Sequence, residues 1–226
     1  MASVPDSRVP SLADALDAAL PQTQCTRCGY ADCRAYAEAM ASGQAAINRC
    51  PPGGAEGLAR LAALTGQPLQ PLDEACGNEG PRLLAVIDEA WCIGCTLCIK
   101  ACPVDCIVGA NKRMHTVIDA QCTGCELCVP ACPVDCISLQ PVTPGRSGWA
   151  AWSGEDAALA RRRYTERNAR RARQQAAQEA RLEAKAAAKL ADLPAHTRHT
   201  DPEVLDRKRA VIEAALARAR AKRPTP

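Results

Sequence analysis

The sequence predicts an α+β fold in three parts. These are a small helical domain over 1–66, a module of short strands and cysteine loops over 82–142 reached through a linker at 67–81, and a basic helical tail over 143–226. Three observations predict it. The 15 cysteines fall into spaced groups, all before residue 137; residues 91–108 and 121–138 align at an offset of 30 with 12 identities in 18 positions; and after residue 149 the chain becomes rich in Ala, Arg, Gln and Glu. A large aromatic core is not on offer. Ala (45) and Cys (15) make up more than half of the 47% hydrophobic fraction, Phe is absent, and Trp and Tyr number three each. Neither repeat unit can bury its apolar face alone, so the two must pair, and the cysteines are the candidate for the remaining cohesion.

The helical domain opens with "SLADALDAAL" (11–20), which puts Leu12, Leu16, Ala19 and Leu20 on one side of a helix that Ser11 caps and Pro21 stops. A helix over 32–42 is capped by Asp32 and ended by Gly43, another over 55–65 is ended by Gly66, and "QPLQP" (67–71) leads out. In the module, "VID" precedes each cysteine run (86–88 and 117–119), and each unit reads as strand, cysteine loop, short helix, strand, the last strands being Ile107–Val108 and Ile137–Leu139. Past "PVTPGRSG" (141–148) a long solvated helix or a partly disordered segment is expected over 153–192. A second follows from Thr200–Asp201–Pro202 with Leu205, Ile212, Leu216 and Ala219 as its stripe.

Net charge is +3, but the signs separate: residues 1–149 hold 10 basic and 15 acidic side chains, residues 150–226 hold 18 and 10. No window encodes a membrane span, and the N-terminus lacks the apolar stretch of a secretory leader. Cysteine-rich chains in a reducing compartment use their thiols for metal rather than disulfides.

Cys92, Cys95, Cys98 and Cys102 are spaced C-x2-C-x2-C-x3-C-P, and Cys122, Cys125, Cys128 and Cys132 repeat the pattern. This is the spacing of two-cluster bacterial ferredoxins, in which three thiolates wrap one [4Fe-4S] cluster and the fourth reaches the other. The tetrads are therefore Cys92, Cys95, Cys98 with Cys132, and Cys122, Cys125, Cys128 with Cys102. Zinc fits poorly, because it favours two separated C-x2–4-C knuckles. Cys106 and Cys136, four residues after each fourth ligand, are read as spare buried thiols. Cys25, Cys28, Cys33 and Cys50 form a third set, whose spacing alone admits a cluster or a zinc ion. Cys33, at the start of a helix, and the nearby Gly29 backbone are expected to offer N–H groups to that site. Cys76 has no partner at ligand spacing, and His115, His196 and His199 read as isolated surface or loop residues.

"LPQTQCTRCGYADCRAYAEAMASGQAAINRCPPGG" (20–54) and "CIGCTLCIKACPVDCIVGANKRMHTVIDAQCTGCELCVPACPVDCISLQPV" (92–142) strongly resemble the RnfB family, an electron-transfer component of the Rnf (Rsx) electron-transport complex. The resemblance covers about 20–142. It implies a [4Fe-4S] cluster on Cys25, Cys28, Cys33 and Cys50 and hence three such clusters in all. It also implies electron transfer within an ion-translocating oxidoreductase, with the other components of the complex or a soluble redox partner as contacts. The family's usual N-terminal membrane helix has no counterpart here, and the tail lies outside the shared region. Family members commonly carry Ala where Cys106 stands.

The expected function is electron relay without bond chemistry, since the sequence has no Ser/His/Asp arrangement, G-x-G-x-x-G or phosphate-binding loop. A stand-alone polyferredoxin serving a reductase is the alternative. The run "ARRRYTERNARRAR" (160–173) is the only support for a nucleic-acid tether and reads instead as a solvated basic helix. The expected location is the cytoplasm, with any membrane contact peripheral at the cytoplasmic face of the inner membrane. The tail is expected to be separable from the cysteine-bearing head.

Overall fold

A computed structural model describes residues 10–221. Residues 1–9, part of the segment read for a secretory leader, and 222–226, the end of the tail, lie outside the described residues. Two compact units divide the chain after Arg167.

The first unit begins with α1 (Leu12–Ala19), α2 (Cys33–Ala41) and α3 (Gly54–Thr65). Ser11 and Asp14 cap α1 reciprocally: Asp14 N–H donates to Ser11 Oγ at 3.2 Å, and Ser11 N–H donates to the Asp14 carboxylate at 2.9 Å. Asp32 caps α2 by accepting from Ala35 N–H at 2.7 Å. Gly66 ends α3 in the left-handed region at φ 69°, a conformation glycine adopts without a side-chain clash. These helices enclose Leu16, Leu20, Tyr36, Met40, Ile47, Leu58 and Leu61. An ordinary apolar core therefore holds this part. Its one buried ring, Tyr36, donates its hydroxyl to Ala46 O at 2.8 Å and accepts from Arg49 N–H at 3.1 Å.

The repeat follows as β1 (Leu83–Ile87), α4 (Leu97–Ala101), β2 (Ile107–Gly109), β3 (His115–Val117) and β4 (Ile137–Pro141). β1 pairs antiparallel with β4, setting Ile87 opposite Ile137, and β2 pairs antiparallel with β3, setting Ile107 opposite Val117. Each two-stranded sheet takes one strand from each unit of the repeat, so neither unit completes a sheet alone. The symmetry extends to backbone conformation. Gly94 and Gly124, Thr96 and Glu126, and Asp105 and Asp135 all have positive φ, in pairs 30 residues apart. At Gly94 a Cβ would collide with Arg113 backbone, and at Gly124 with Leu83 backbone, which explains the glycine inside each C-x2-C.

The second unit of the repeat departs from the expected helix. Lys100 N–H donates to Thr96 O at 3.1 Å, closing the first turn of α4. Its counterpart 30 residues on is Pro130, which has no N–H to donate, and residues 127–131 form turns instead.

The core continues past residue 143. A one-turn 3₁₀ helix (Gly148–Ala151) buries Trp149, and Trp152 follows it into the same core as Ile87, Val104, Ile107 and Ile137. Arg60 lies 4.0 Å from the Trp149 ring centroid and Arg82 4.5 Å from that of Trp152. Trp152 Nε1–H donates to Pro21 O at 2.8 Å. The two tryptophans thus join the helical part to the repeat. The first turns of α5 (Gly154–Ala191) bury Ala157 and Ala160.

The arginine run is a clamp rather than a solvated face up to residue 167. Arg161 Nη2 donates to Asp17 O at 2.6 Å, Arg163 donates to Val104 O at 2.8 Å and to Asp105 O at 3.0 Å, and Arg167 donates to Lys100 O at 2.7 Å. Tyr164 hydroxyl donates to Asp32 at 2.9 Å. Arg161, Arg163 and Arg167, three arginines of the run that supported a nucleic-acid tether, are engaged within the protein.

The second unit, from Asn168, contains the rest of α5 and α6 (Pro202–Ala221). Ile212, Leu216 and Ala219 of the expected stripe line a shallow groove with Leu182 and Ala186, and Arg220 pairs with Glu183 at 2.8 Å. No described residue of α6 is buried.

Candidate metal centres

Cysteines from both units of the repeat meet in two cavities. One is lined by Cys122, Cys125, Cys128, Cys102 and Cys106 with Ala85, Val104 and Leu139. The other is lined by Cys92, Cys95, Cys98, Cys132 and Cys136 with Ile87, His115 and Ile137. In each case the fourth cysteine of one run sits with the first three of the other. Both sheets pair a strand of one unit with a strand of the other, which brings the fourth cysteine of each run to the loop of its partner unit.

The third set lies in the helical part. Cys33 is within electrostatic reach of Cys50, Cys25 and Cys28, and Cys50 of Cys25 and Cys28. Burial pushes the Cys33 and Cys50 thiols well above the ordinary range, and Cys28 up against the opposing pull of Tyr30 N–H. The backbone next to Gly29 does donate to a sulfur of the set, Tyr30 N–H to Cys28, while the Cys33 and Gly29 N–H groups are engaged elsewhere. Cys33 N–H donates to Gln24 Oε1 at 3.0 Å, ending a relay in which Gln24 bonds Gln22 and Gln22 bonds Asp17, and Gly29 N–H donates to Thr26 O at 2.9 Å. Cys76, which had no partner by spacing, is buried and within reach of Cys28 and Cys50, with its Sγ 3.7 Å from Asp73 Oδ2.

Among the described residues no three His, Cys, Asp or Glu side chains converge on a point that one metal ion would occupy. A four-iron cube takes each thiolate at its own corner and suits sulfurs spread around a cavity. Buried thiols such as Cys125 and Cys128, which burial pushes up to about 12, lose their protons only to a strongly held cation.

The sequence comparisons put iron–sulfur families over both cysteine-bearing blocks. Residues 20–52 match the family described as "Putative Fe-S cluster", and residues 85–139 match "4Fe-4S dicluster domain". The RnfB-type component of the ion-translocating oxidoreductase complex from Azoarcus sp. (strain BH72) is 59% identical over 138 residues, 61% of this chain and 75% of the relative. The chain belongs to the RnfB (RsxB) family of ion-translocating oxidoreductase complexes. The proteins of the same name from Serratia proteamaculans (55% over 138 residues, 61% and 72% of the two chains) and Thiobacillus denitrificans (62% over 107 residues, 47% and 57%) match the same way. No solved structure matches the chain. As a member of this family, the protein is an iron–sulfur electron-transfer protein.

Two features of this RnfB-family chain escaped its sequence. Cys106 is not a neutral filler: its Sγ lies 3.4 Å from Cys102 Sγ, its N–H donates to the same sulfur at 3.3 Å, and its thiol holds both Cys102 and Cys122 below the ordinary thiol range by hydrogen bonding. Cys136 stands 3.4 Å from Cys132 in the same relation. His115, read as isolated, is buried against Cys92 and Cys98. The only sequence signal was its place four residues before the second cysteine run's "D-x-x-C" lead-in, which names no chemistry.

Proposed function

We propose that the chain is a three-site electron relay: Cys25, Cys28, Cys33 and Cys50 hold one [4Fe-4S] cluster, Cys92, Cys95, Cys98 and Cys132 a second, and Cys122, Cys125, Cys128 and Cys102 a third. The observation that carries it is the mixed lining of the two repeat cavities, each with four correctly spaced cysteines from both runs. The clusters, when bound, supply one-electron redox chemistry. The chain's residues fix their order. Thr123, beside Cys122, donates its hydroxyl to Thr23 O at 3.0 Å in a buried contact, and Arg27, beside Cys28, pairs with Glu126, beside Cys125. The N-terminal set therefore docks on the Cys122 loop, and the relay runs from Cys25's set through Cys122's set to Cys92's set. Cys128 and Cys98 are within electrostatic reach of each other across the middle step.

Trp91 and Ile93, which flank Cys92, are 71% and 57% exposed, an apolar edge suited to contact with a redox partner at the far end of the relay. Partners in this reading are the other components of an Rnf-type complex or a soluble donor. Among the described residues no helix is long and apolar enough to cross a membrane.

Anaerobically purified protein is expected to hold about 12 iron and 12 sulfide per chain, from three cubes of four. Eight irons with one zinc would overturn the assignment of the N-terminal set. Cys106→Ala and Cys136→Ala are expected to keep all their iron and to change stability by no more than about 1 kcal/mol, the scale of a small deletion in a packed interior. Iron loss in either variant would make the fifth cysteine a ligand.

A further inference from the structure

The two halves of the repeat are not chemically equivalent at their cavities. His115 is 1% exposed, with Nδ1 3.4 Å from Cys98 Sγ and 3.6 Å from Cys92 Sγ, and its buried Nε2 has no hydrogen-bond partner. Its cross-strand neighbour is Gly109, where a Cβ would collide with the imidazole. The register gives the other half a different pair: Ala85 stands where His115 does, and Leu139 where Gly109 does. The cavity of Cys102, Cys122, Cys125 and Cys128 is lined there by apolar Ala85 and Leu139. A large polar ring opposite a glycine has been exchanged for a large apolar side chain opposite an alanine.

The ligand chemistry fixes the tautomer. A ligating cysteine is a thiolate and can only accept. With two such sulfurs facing Nδ1, the proton must sit on Nδ1, and Nε2 is then an acceptor without a donor. That leaves a buried polar atom unsatisfied, while holding the other nitrogen on the sulfurs.

We infer that His115 is a tuning residue for the site formed by Cys92, Cys95, Cys98 and Cys132, and that its N–H donation makes this the higher-potential site of the repeat. The inference rests on the ligand assignment proposed above. An N–H aimed at ligand sulfur stabilises the reduced state more, because reduction adds an electron and makes the sulfurs better acceptors. Each step moves one electron, oxidising one cluster as it reduces the next. The site next to the N-terminal set has the Cys106 thiol but no imidazole donor, so the His115 N–H raises the potential of the far half and favours electron flow toward it.

The test is a redox titration of the full chain, at one pH, followed by electron paramagnetic resonance after iron content has been measured. In His115→Leu one cluster signal is expected to lose about tenfold in its reduced-to-oxidised ratio at a fixed poise, a fall of about 59 mV for a one-electron couple, while the others hold. His115→Gln, which keeps an amide N–H donor, should recover most of it. In the unsubstituted protein, ¹⁵N-histidine labelling should give a nitrogen coupling on that signal that disappears in His115→Gln. An unchanged potential in an iron-replete Leu variant, a Gln variant that falls as far as Leu, or no ¹⁵N coupling would each overturn the inference. If the Leu variant fails to load iron, the coupling and the Gln variant decide it. Fewer than twelve irons in the unsubstituted protein would strike the ligand assignment instead.

Discussion

A chain ending at residue 147 is expected to lose its iron and its cooperative melting transition, whereas one ending near residue 167 should keep both. Residues 148–167 supply Trp149 and Trp152, Ala157 and Ala160, and the Arg161, Arg163 and Arg167 bonds to the backbone of residues 17, 100, 104 and 105. Truncating a buried tryptophan to alanine costs about 3–5 kcal/mol. Domains are stable by only about 5–15 kcal/mol in all. Loss of both tryptophans together with three backbone clamps is comparable to that whole margin. Trp152→Ala alone should lower the melting temperature by several degrees, since Pro21 O also loses its donor. The measurements are thermal melting and iron content of the two truncations. If the chain ending at 147 melts like the full protein with all its iron, the segment is an appendage, as its composition suggested.

The second large effect concerns the crossed ligands. Cys102→Ser should remove the cluster of Cys125, not that of its sequence neighbour Cys95. The reason is the shared cavity of Cys102 with Cys122, Cys125 and Cys128. Iron should fall by about four per chain, one cube, and the surviving resonance signals should match those of Cys125→Ser. Cys132→Ser should match Cys95→Ser by the same argument. Matching in the other sense, Cys102→Ser with Cys95→Ser, would show that each run closes its own site.

The repeat, the twelve spaced cysteines, the helix caps at Ser11 and Asp32 and the family to which the chain belongs are all legible in the order of residues. Those features are local: a cap needs a side chain within one turn, and a C-x2-C-x2-C run needs only its own loop. Strand pairing partners, the docking of Thr123 on Thr23, and the burial of His115 against Cys92 and Cys98 were decided by tertiary structure, because each joins residues far apart in the chain. Composition hid the tail's role for a physical reason. Alanine and arginine read as solvated, yet small Ala157 and Ala160 allow close packing of a helix on the core, and long arginine stems reach backbone carbonyls that no pattern marks in advance. The missing second helix was legible at Pro130, since a residue without an N–H cannot close the turn that Lys100 closes.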